Sequence, residues 1–288
     1  ALSLTVNPEK QAAIEIERLL KFPGFLKRDS FAKGRVEIVE LRVDERSRLC
    51  NVALSELNRV IKCRVLVCAV LRRGDVVAQD GSFVLREGDR IFVTASTEIL
   101  ATLLDNLGII TKKVNHVMIC GGGRVSYYLA QQLEKDGMTV RLIEKDPKHC
   151  EELAALLPKT EIINDDASST FVLKRENLES CDALVTATGM DELNMIISLY
   201  GTKHGVSQVI TKRGHMENGS MIDQLPIGST IWPKDLCCNG IVRYIRAMHN
   251  QTGAAVSVHS IADGKAEAIE FHVEEKKPYC DKPLKNMK

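Results

Sequence analysis

Residues 121–126 read Gly-Gly-Gly-Arg-Val-Ser, directly after the apolar run Val117-Met118-Ile119-Cys120. Glycines placed this way after a short strand let the chain turn tightly and bring backbone N–H groups to a phosphate at the start of a helix. Gly121 is the turn residue and Gly123 lets the backbone approach a pyrophosphate, while the place of a third glycine holds Ser126. That serine adds a hydroxymethyl group where helix and strand pack closely, which predicts weaker nucleotide binding or a slight helix shift, not loss of the site. A second run, 139–143, stops at Glu144, and 144 − 121 = 23 residues puts this carboxylate where an adenosine ribose 2′-hydroxyl is met. A carboxylate there favours NAD(H), ATP or ADP and repels the 2′-phosphate of NADP, an exclusion that Lys145 softens.

Strands alternate with helical segments beyond this point, which predicts a doubly wound parallel sheet. Expected strands are 161–163, 181–186, 208–211 and 229–232, with helices over 192–203, around 216–225 and over 233–249. Ligands of such sheets sit outside the carboxyl ends of the strands. The residues at those ends are Gly121, Gly122, Gly123 and Arg124, then Glu144, Asp165 and Asp166, Thr188 and Gly189, and Lys212. Arg124 suits a phosphate, its plainer reading being a solvated surface arginine. Asp166 suits an adenine or ribose edge, although Asp165-Asp166 is also an ordinary loop and helix-start pair. Lys212 reaches a phosphate or is simply an exposed lysine.

Before this unit lies a β-rich stretch. Its turn signals are Gly74-Asp75, Asp80-Gly81 and Gly88-Asp89, separating strands expected at 64–71, 76–78, 82–85 and 91–94. Ser96 starts a helix striped by Ile99, Leu100, Leu103, Leu104 and Leu107 and closed by Gly108. Ahead of it, Asn7-Pro8 opens an amphipathic helix carrying Ala12, Ala13, Ile16, Leu19 and Leu20, which must pack on something outside the chain or on a later domain.

The chain also repeats itself. At an offset of 230, residues 36–57 lie ungapped over 266–287, with Glu37/Glu267, Glu40/Glu270, Val43/Val273, Glu45/Glu275, Cys50/Cys280 and Leu54/Leu284 identical. At an offset of 225, residues 5–20 lie over 230–245, with Thr5/Thr230, Pro8/Pro233, Ile16/Ile241 and Arg18/Arg243 identical. The repeating unit is a nucleotide-type sheet, a linking helix and a small β-rich domain. The expectation is a fragment that lacks a first nucleotide domain upstream and the end of a second small domain downstream.

Composition narrows the function classes. Lys+Arg of 39 against Asp+Glu of 38 does not recommend a nucleic-acid or anionic-membrane surface, which needs a concentrated cationic patch, and the longest apolar run, 65–71, is too short to span a bilayer. Nine cysteines form no C-x-x-C pair and read as small apolar side chains in a reducing cytoplasm, so no metal is expected. No His/Asp, Ser/Lys or metal constellation suggests catalysis, and an NAD-dependent oxidoreductase is the weaker alternative.

The glycine turn with Val125 and Glu144, the run Asp165-Asp166-Ala167, the run 188–194 (Thr-Gly-Met-Asp-Glu-Leu-Asn), the Ile231-Trp232-Pro233 junction and the repeated strand at 36–41 together resemble the regulator of potassium conductance (RCK) family, in the tandem form of TrkA-type Trk uptake proteins. The resemblance covers nearly the whole chain. It implies the end of a first RCK-N unit at 1–23, an RCK-C (TrkA-C) α+β domain at 24–110, a Rossmann-like RCK-N (TrkA-N) domain at 114–232, a crossover helix at 233–252 and the truncated start of a second RCK-C domain at 253–288. It further implies a non-enzymatic, cytoplasmic subunit, peripheral on the inner face of the membrane. Such a subunit is a homo-oligomer on a Trk-type potassium-transporting membrane protein, with NAD, NADH, ATP or ADP at the sheet gating potassium movement. Regulation of a channel or an efflux antiporter is the alternative within the family.

Overall fold

The computed structural model describes residues 5–21, 25–31, 35–45, 47–77, 80–108, 113–214, 225–249, 257–262, 265–271, 273 and 280–282. The helix expected around 216–225 lies outside the described residues except at its last position.

Helix α1 (Pro8–Lys21) leads into the first sheet. Strands β1 (Lys27–Phe31), β2 (Val36–Arg42), β3 (Leu66–Arg72), β4 (Asp75–Val77) and β5 (Arg90–Ala95) pair antiparallel in the order β1-β2-β5-β3-β4. Helices α2 (Leu57–Ile61) and α3 (Thr97–Leu107) cover one face, where Val39, Leu41, Ile61, Val93, Leu100 and Leu104 are buried together. Gly108, at φ +72°, ends α3 in the left-handed conformation, as its position after the apolar stripe predicts.

Three details depart from the expected pattern. Strand β1 carries Arg28 and Asp29 and does not read as a strand; Arg28 is 7% exposed because its guanidinium forks onto the Glu37 carboxylate. The outer half of β3 is open, with Leu66 65% exposed, and its register against β5 shifts between Val67 and Ala69. Residues 82–85 form no strand, only the single bridge Ala53–Val84.

The second sheet has six strands: β6 (His116–Cys120), β7 (Thr139–Glu144), β8 (Glu161–Asn164), β9 (Ala183–Thr186), β10 (Gln208–Lys212) and β11 (Ser229–Ile231). Their order is β11-β10-β9-β6-β7-β8 and every pair is parallel. One face packs α4 (Arg124–Lys135) and α5 (Pro147–Leu156); the other packs α6 (Thr170–Arg175) and α7 (Asp191–Lys203). The strand order reverses between β6 and β9, whose last paired residues are Cys120 and Thr186. A crevice opens there, beyond the carboxyl ends, because the chain leaves these two strands in opposite directions.

Helix α1 finds its partner in this later unit. Ala12, Ala13, Ile16, Leu19 and Leu20 are at most 1% exposed, in one core with Leu129 and Leu133 of α4. The Gln208 amide donates to the Leu19 carbonyl at 2.7 Å. Burial of each such leucine or isoleucine stabilises by roughly 1.5–3 kcal/mol, so α1 is an integral part of the second unit's core.

Helix α8 (Pro233–His249) follows β11 and leads to the hairpin β12 (Ser257–Ile261) and β13 (Ala266–Glu270). The duplication is visible in its register: Lys27↔Glu40 and Phe31↔Val36 of β1–β2 become Ser257↔Glu270 and Ile261↔Ala266, each residue shifted by 230. The second hairpin lays Ile261, Ala266 and Ala268 on Phe31, Ile38 and Phe92, so equivalent residues of the two copies meet.

Candidate functional site

Gly121 follows β6 with φ +98°, and a Cβ there would lie 2.8 Å from Thr188 Cα and 3.0 Å from the Ala187 carbonyl carbon. The turn is therefore seated on the loop after β9, which only glycine permits. At Gly122 a Cβ would meet Leu153 at 2.7 Å and Glu144 Oε2 at 2.9 Å. This middle glycine lets the Glu144 carboxylate close onto the turn. Its Oε2 accepts from Gly122 N at 2.7 Å and its Oε1 from Asp146 N at 2.9 Å. Gly123 is the N-cap of α4 with ordinary extended angles, and nothing lies within 4 Å of a Cβ built on it.

Asp146 caps α5, accepting from the backbone N–H groups of Lys148 and His149. Beyond β8, the Asp166 N–H and the Arg175 guanidinium at 2.8 Å hold the Asp165 carboxyl below its usual pKa. The Ser168 backbone and hydroxyl do the same for Asp166. The loop after β9 is tied by Asn194, fully buried on α7. Its Oδ1 accepts from Thr188 N and Thr188 Oγ1, each at 2.8 Å, and its Nδ2 donates to Thr188 O at 3.3 Å and Lys212 O at 3.1 Å. Lys212 Nζ donates to Thr188 O at 2.8 Å, and burial lowers its pKa against the raising pull of Asp191 and Glu9.

These elements enclose a cavity of about 740 Å³ over the β6–β9 crevice. Of the residues singled out from the sequence, Gly122, Gly123, Glu144, Lys145, Asp165, Asp166, Ala167, Thr188, Gly189 and Lys212 line it. Three do not. Gly121 lies beneath the turn, Val125 is 5% exposed in the core, and Arg124 ion-pairs at 2.8 Å with Glu9 of α1. His149 and Ile196 line the cavity without having been singled out, and Met190 and Leu193, named only within the run 188–194, line it too. Met190, the N-cap of α7, and Ile196 on that helix are 59% and 64% exposed, an apolar margin to the cavity. A signal for His149 was present: the Asp146-Pro147 cap fixes the first turn of α5 beside the glycine turn.

Ser126, in the first turn of α4, is fully buried and its Oγ has no hydrogen-bond partner among the described residues. An unpaired buried hydroxyl costs free energy. Ser126→Ala is expected to raise the urea unfolding free energy by about 1 kcal/mol.

Among the described residues no group of His, Cys, Asp or Glu side chains is placed to hold a metal, and no helix is long and apolar enough to cross a membrane. Cys120 and Cys150 are buried, the Cys120 thiol being pushed up to about 12 by burial, whereas Cys68 and Cys238 are exposed. The reading of the cysteines as small apolar side chains thus fits Cys120 and Cys150 better than Cys68 on the open half of β3 or Cys238 on α8.

Residues 117–233 match the TrkA-N domain family and residues 38–108 the TrkA-C domain family. The Trk system potassium uptake protein TrkA of Haemophilus influenzae is 30% identical over 269 residues, which are 92% of this chain and 57% of that protein. The chain thus spans little more than half the length of this relative. Among solved structures, the GsuK RCK domain superposes with a TM-score of 0.59 at 15% identity, over 89% of this chain and 55% of its own. The GsuK channel bound to NAD superposes with 0.56 at 15% identity, over 88% and 45%. At this identity the structural likeness speaks for the fold alone.

Proposed function

This chain belongs to the TrkA family of Trk potassium-uptake proteins, with a TrkA-C domain ahead of a TrkA-N domain, and we propose that it is the nucleotide-sensing part of a regulatory subunit. Its ligand is NAD or NADH, with ATP and ADP as further adenine nucleotides for the same site. The observation that carries this reading is the Glu144 carboxylate closed onto Gly122 at the mouth of the β6–β9 crevice. It places a hydroxyl-binding carboxylate beside open backbone at a helix N-terminus, the two features that an adenosine ribose and its pyrophosphate need. The NAD held by the similarly folded GsuK channel supports the same ligand class. The cavity's histidine has both ring nitrogens next to acceptors, Glu152 and the Gly122 carbonyl, which supports binding without proton transfer to a substrate.

The ligand acts by population shift, and it moves the assembly only by as much as it binds one arrangement better. A pyrophosphate on the turn competes with Glu9 for Arg124, so α1 feels the occupied site. The proposed units are the end of a first RCK-N unit at 1–23, an RCK-C domain at 24–110, a Rossmann-like RCK-N domain at 114–232, a crossover helix at 233–252 and the start of a second RCK-C domain at 253–288. The assembly partners are further copies or repeats of this unit and a Trk-type membrane subunit that it joins from the cytoplasmic side. Helix α8 supports the first of these. At the offset of 225, Ala13 and Ile16 of α1 become Cys238 and Ile241, which are exposed on α8 while their counterparts are sealed against α4. That face fits another Rossmann unit.

Calorimetric titration with NAD, NADH, NADP, ATP and ADP tests the reading. Binding without NADH turnover is expected, with NADP weaker than NAD. Glu144→Ala, which removes charge-assisted hydrogen bonds of about 1.5–3 kcal/mol, is expected to lower affinity roughly ten- to hundredfold. Failure of every adenine nucleotide to bind would refute the sensing role.

A further inference from the structure

The ring nitrogens of His149 face two groups that only accept hydrogen bonds. Nε2 lies 2.8 Å from the Gly122 carbonyl oxygen and Nδ1 lies 3.1 Å from Glu152 Oε2. A neutral imidazole carries one N–H and satisfies one of them; the imidazolium donates to both. Gly122 is thereby held at both of its backbone polar groups, its N–H by Glu144 and its carbonyl by His149. The ring also lines the cavity beside Gly123, where the turn is open to a ligand.

We propose that His149 makes ligand binding at this site proton-linked: as the imidazolium it positions the glycine turn and adds a positive charge for a ligand's phosphates, so the site reports pH together with nucleotide. The proposal rests on the nucleotide reading above and adds the regulation of that site.

The surroundings favour the charged ring. Glu152 shares helix α5 with it, Glu144 stands at the end of β7, and the Asp146 carboxylate accepts from the backbone N–H of His149 itself. Across the cavity stand Asp165, Asp166 and Glu192, with Lys145 and Lys212 as the cations. The Glu152 hydrogen bond first, and then the Gly122 carbonyl, raise the His149 pKa against the lowering effect of burial. A folded-state pKa raised above the unfolded value of about 6.5 gives a contribution fully present below that value and lost as pH rises through the folded one. On deprotonation the ring must release Gly122 or Glu152 and surrenders its charge. Phosphates beside it raise the pKa further, so binding takes up protons.

Titration of this chain with NADH and ADP from about pH 6 to about pH 8.5, in buffers of differing ionisation enthalpy, tests this. Wild-type affinity is expected to fall roughly three- to tenfold over that range with net proton uptake, the limit set by a pKa change of about one unit between free and bound states. His149→Arg, permanently charged, is expected to bind with a flat pH profile. His149→Gln is expected to be flat and weak, near the alkaline wild-type value. Wild-type binding that does not change with pH, or a His149→Gln protein that binds and keeps the slope, overturns the role of His149 while leaving the nucleotide site standing. No binding by wild type at any pH overturns the nucleotide reading, and this proposal with it.

Discussion

Gly121→Ala is expected to lose about 3–5 kcal/mol of folding stability and ligand binding together, whereas Gly123→Asp is expected to lose binding alone. The two glycines are separated by one residue, yet their surroundings are opposite. At Gly121 a Cβ would press on the backbone of Ala187 and Thr188 at 2.8–3.0 Å, in a conformation of φ +98° that a side chain rarely adopts. Backbone strain contributes about 1–3 kcal/mol and the forced separation of β6 from the β9 loop a similar amount. At Gly123 the backbone is extended, open space surrounds the built Cβ, and the position is an N-cap that aspartate fills well. Stability of Gly123→Asp therefore stays within about 0.5 kcal/mol of wild type or rises slightly. Its carboxylate occupies the place of the approaching pyrophosphate and repels it. Urea unfolding read beside calorimetric binding separates the two variants. Equal loss of stability in both, or undiminished NADH binding by Gly123→Asp, would show that the turn does not divide structural and ligand-facing duties in this way.

That division was partly legible in the sequence. The glycine pattern, the strand before it and Glu144 at the end of the next strand suffice to predict the turn, because their geometry is local. What lay beyond local reach was which groups claim each side chain. Arg124 beside the turn suggests a phosphate contact, but its local sequence does not show the pair it makes with Glu9, 124 − 9 = 115 residues earlier. Strand β1 is hidden by its charges, and its Arg28 is buried with the Glu37 carboxylate of the neighbouring strand as its partner. The segment 82–85 has strand-like residues but pairs only through Val84, so propensity without a ladder leaves it a loop. The duplication, by contrast, was readable from identities at a constant offset, and the matching hairpin registers show the same spacing in space. The Asp146-Pro147 cap could have placed His149 near the turn, but its role needed the fold, since that depends on where the Gly122 carbonyl comes to rest.

Asn194 shows how much of the site depends on a residue that touches no predicted ligand, and Asn194→Ala is expected to cost about 3–5 kcal/mol. The side chain is fully buried and its amide is matched on both sides, accepting from the Thr188 N–H and hydroxyl and donating to the Thr188 and Lys212 carbonyls. Truncation leaves the Thr188 N–H and the Lys212 carbonyl without these partners, at about 1–3 kcal/mol for each buried group left unmade. The loop so loosened is the one on which Gly121 is seated, hence the glycine turn loses its support from below. Asn194→Asp is expected to be no better, although it is the same size. It keeps the acceptor toward Thr188 N–H but turns a second oxygen toward two carbonyl oxygens, adding repulsion where there were donors. Lys212→Met is the control: Thr188 O loses the ammonium at 2.8 Å but keeps Asn194, so a loss of about 1 kcal/mol is expected. Urea unfolding gives the three values, and hydrogen exchange at the Thr188 amide locates the effect. In Asn194→Ala that amide should exchange faster even where the global stability is matched with a stabilising osmolyte. An unchanged rate there would mean that the β9 loop holds itself, and that Asn194 is merely well packed.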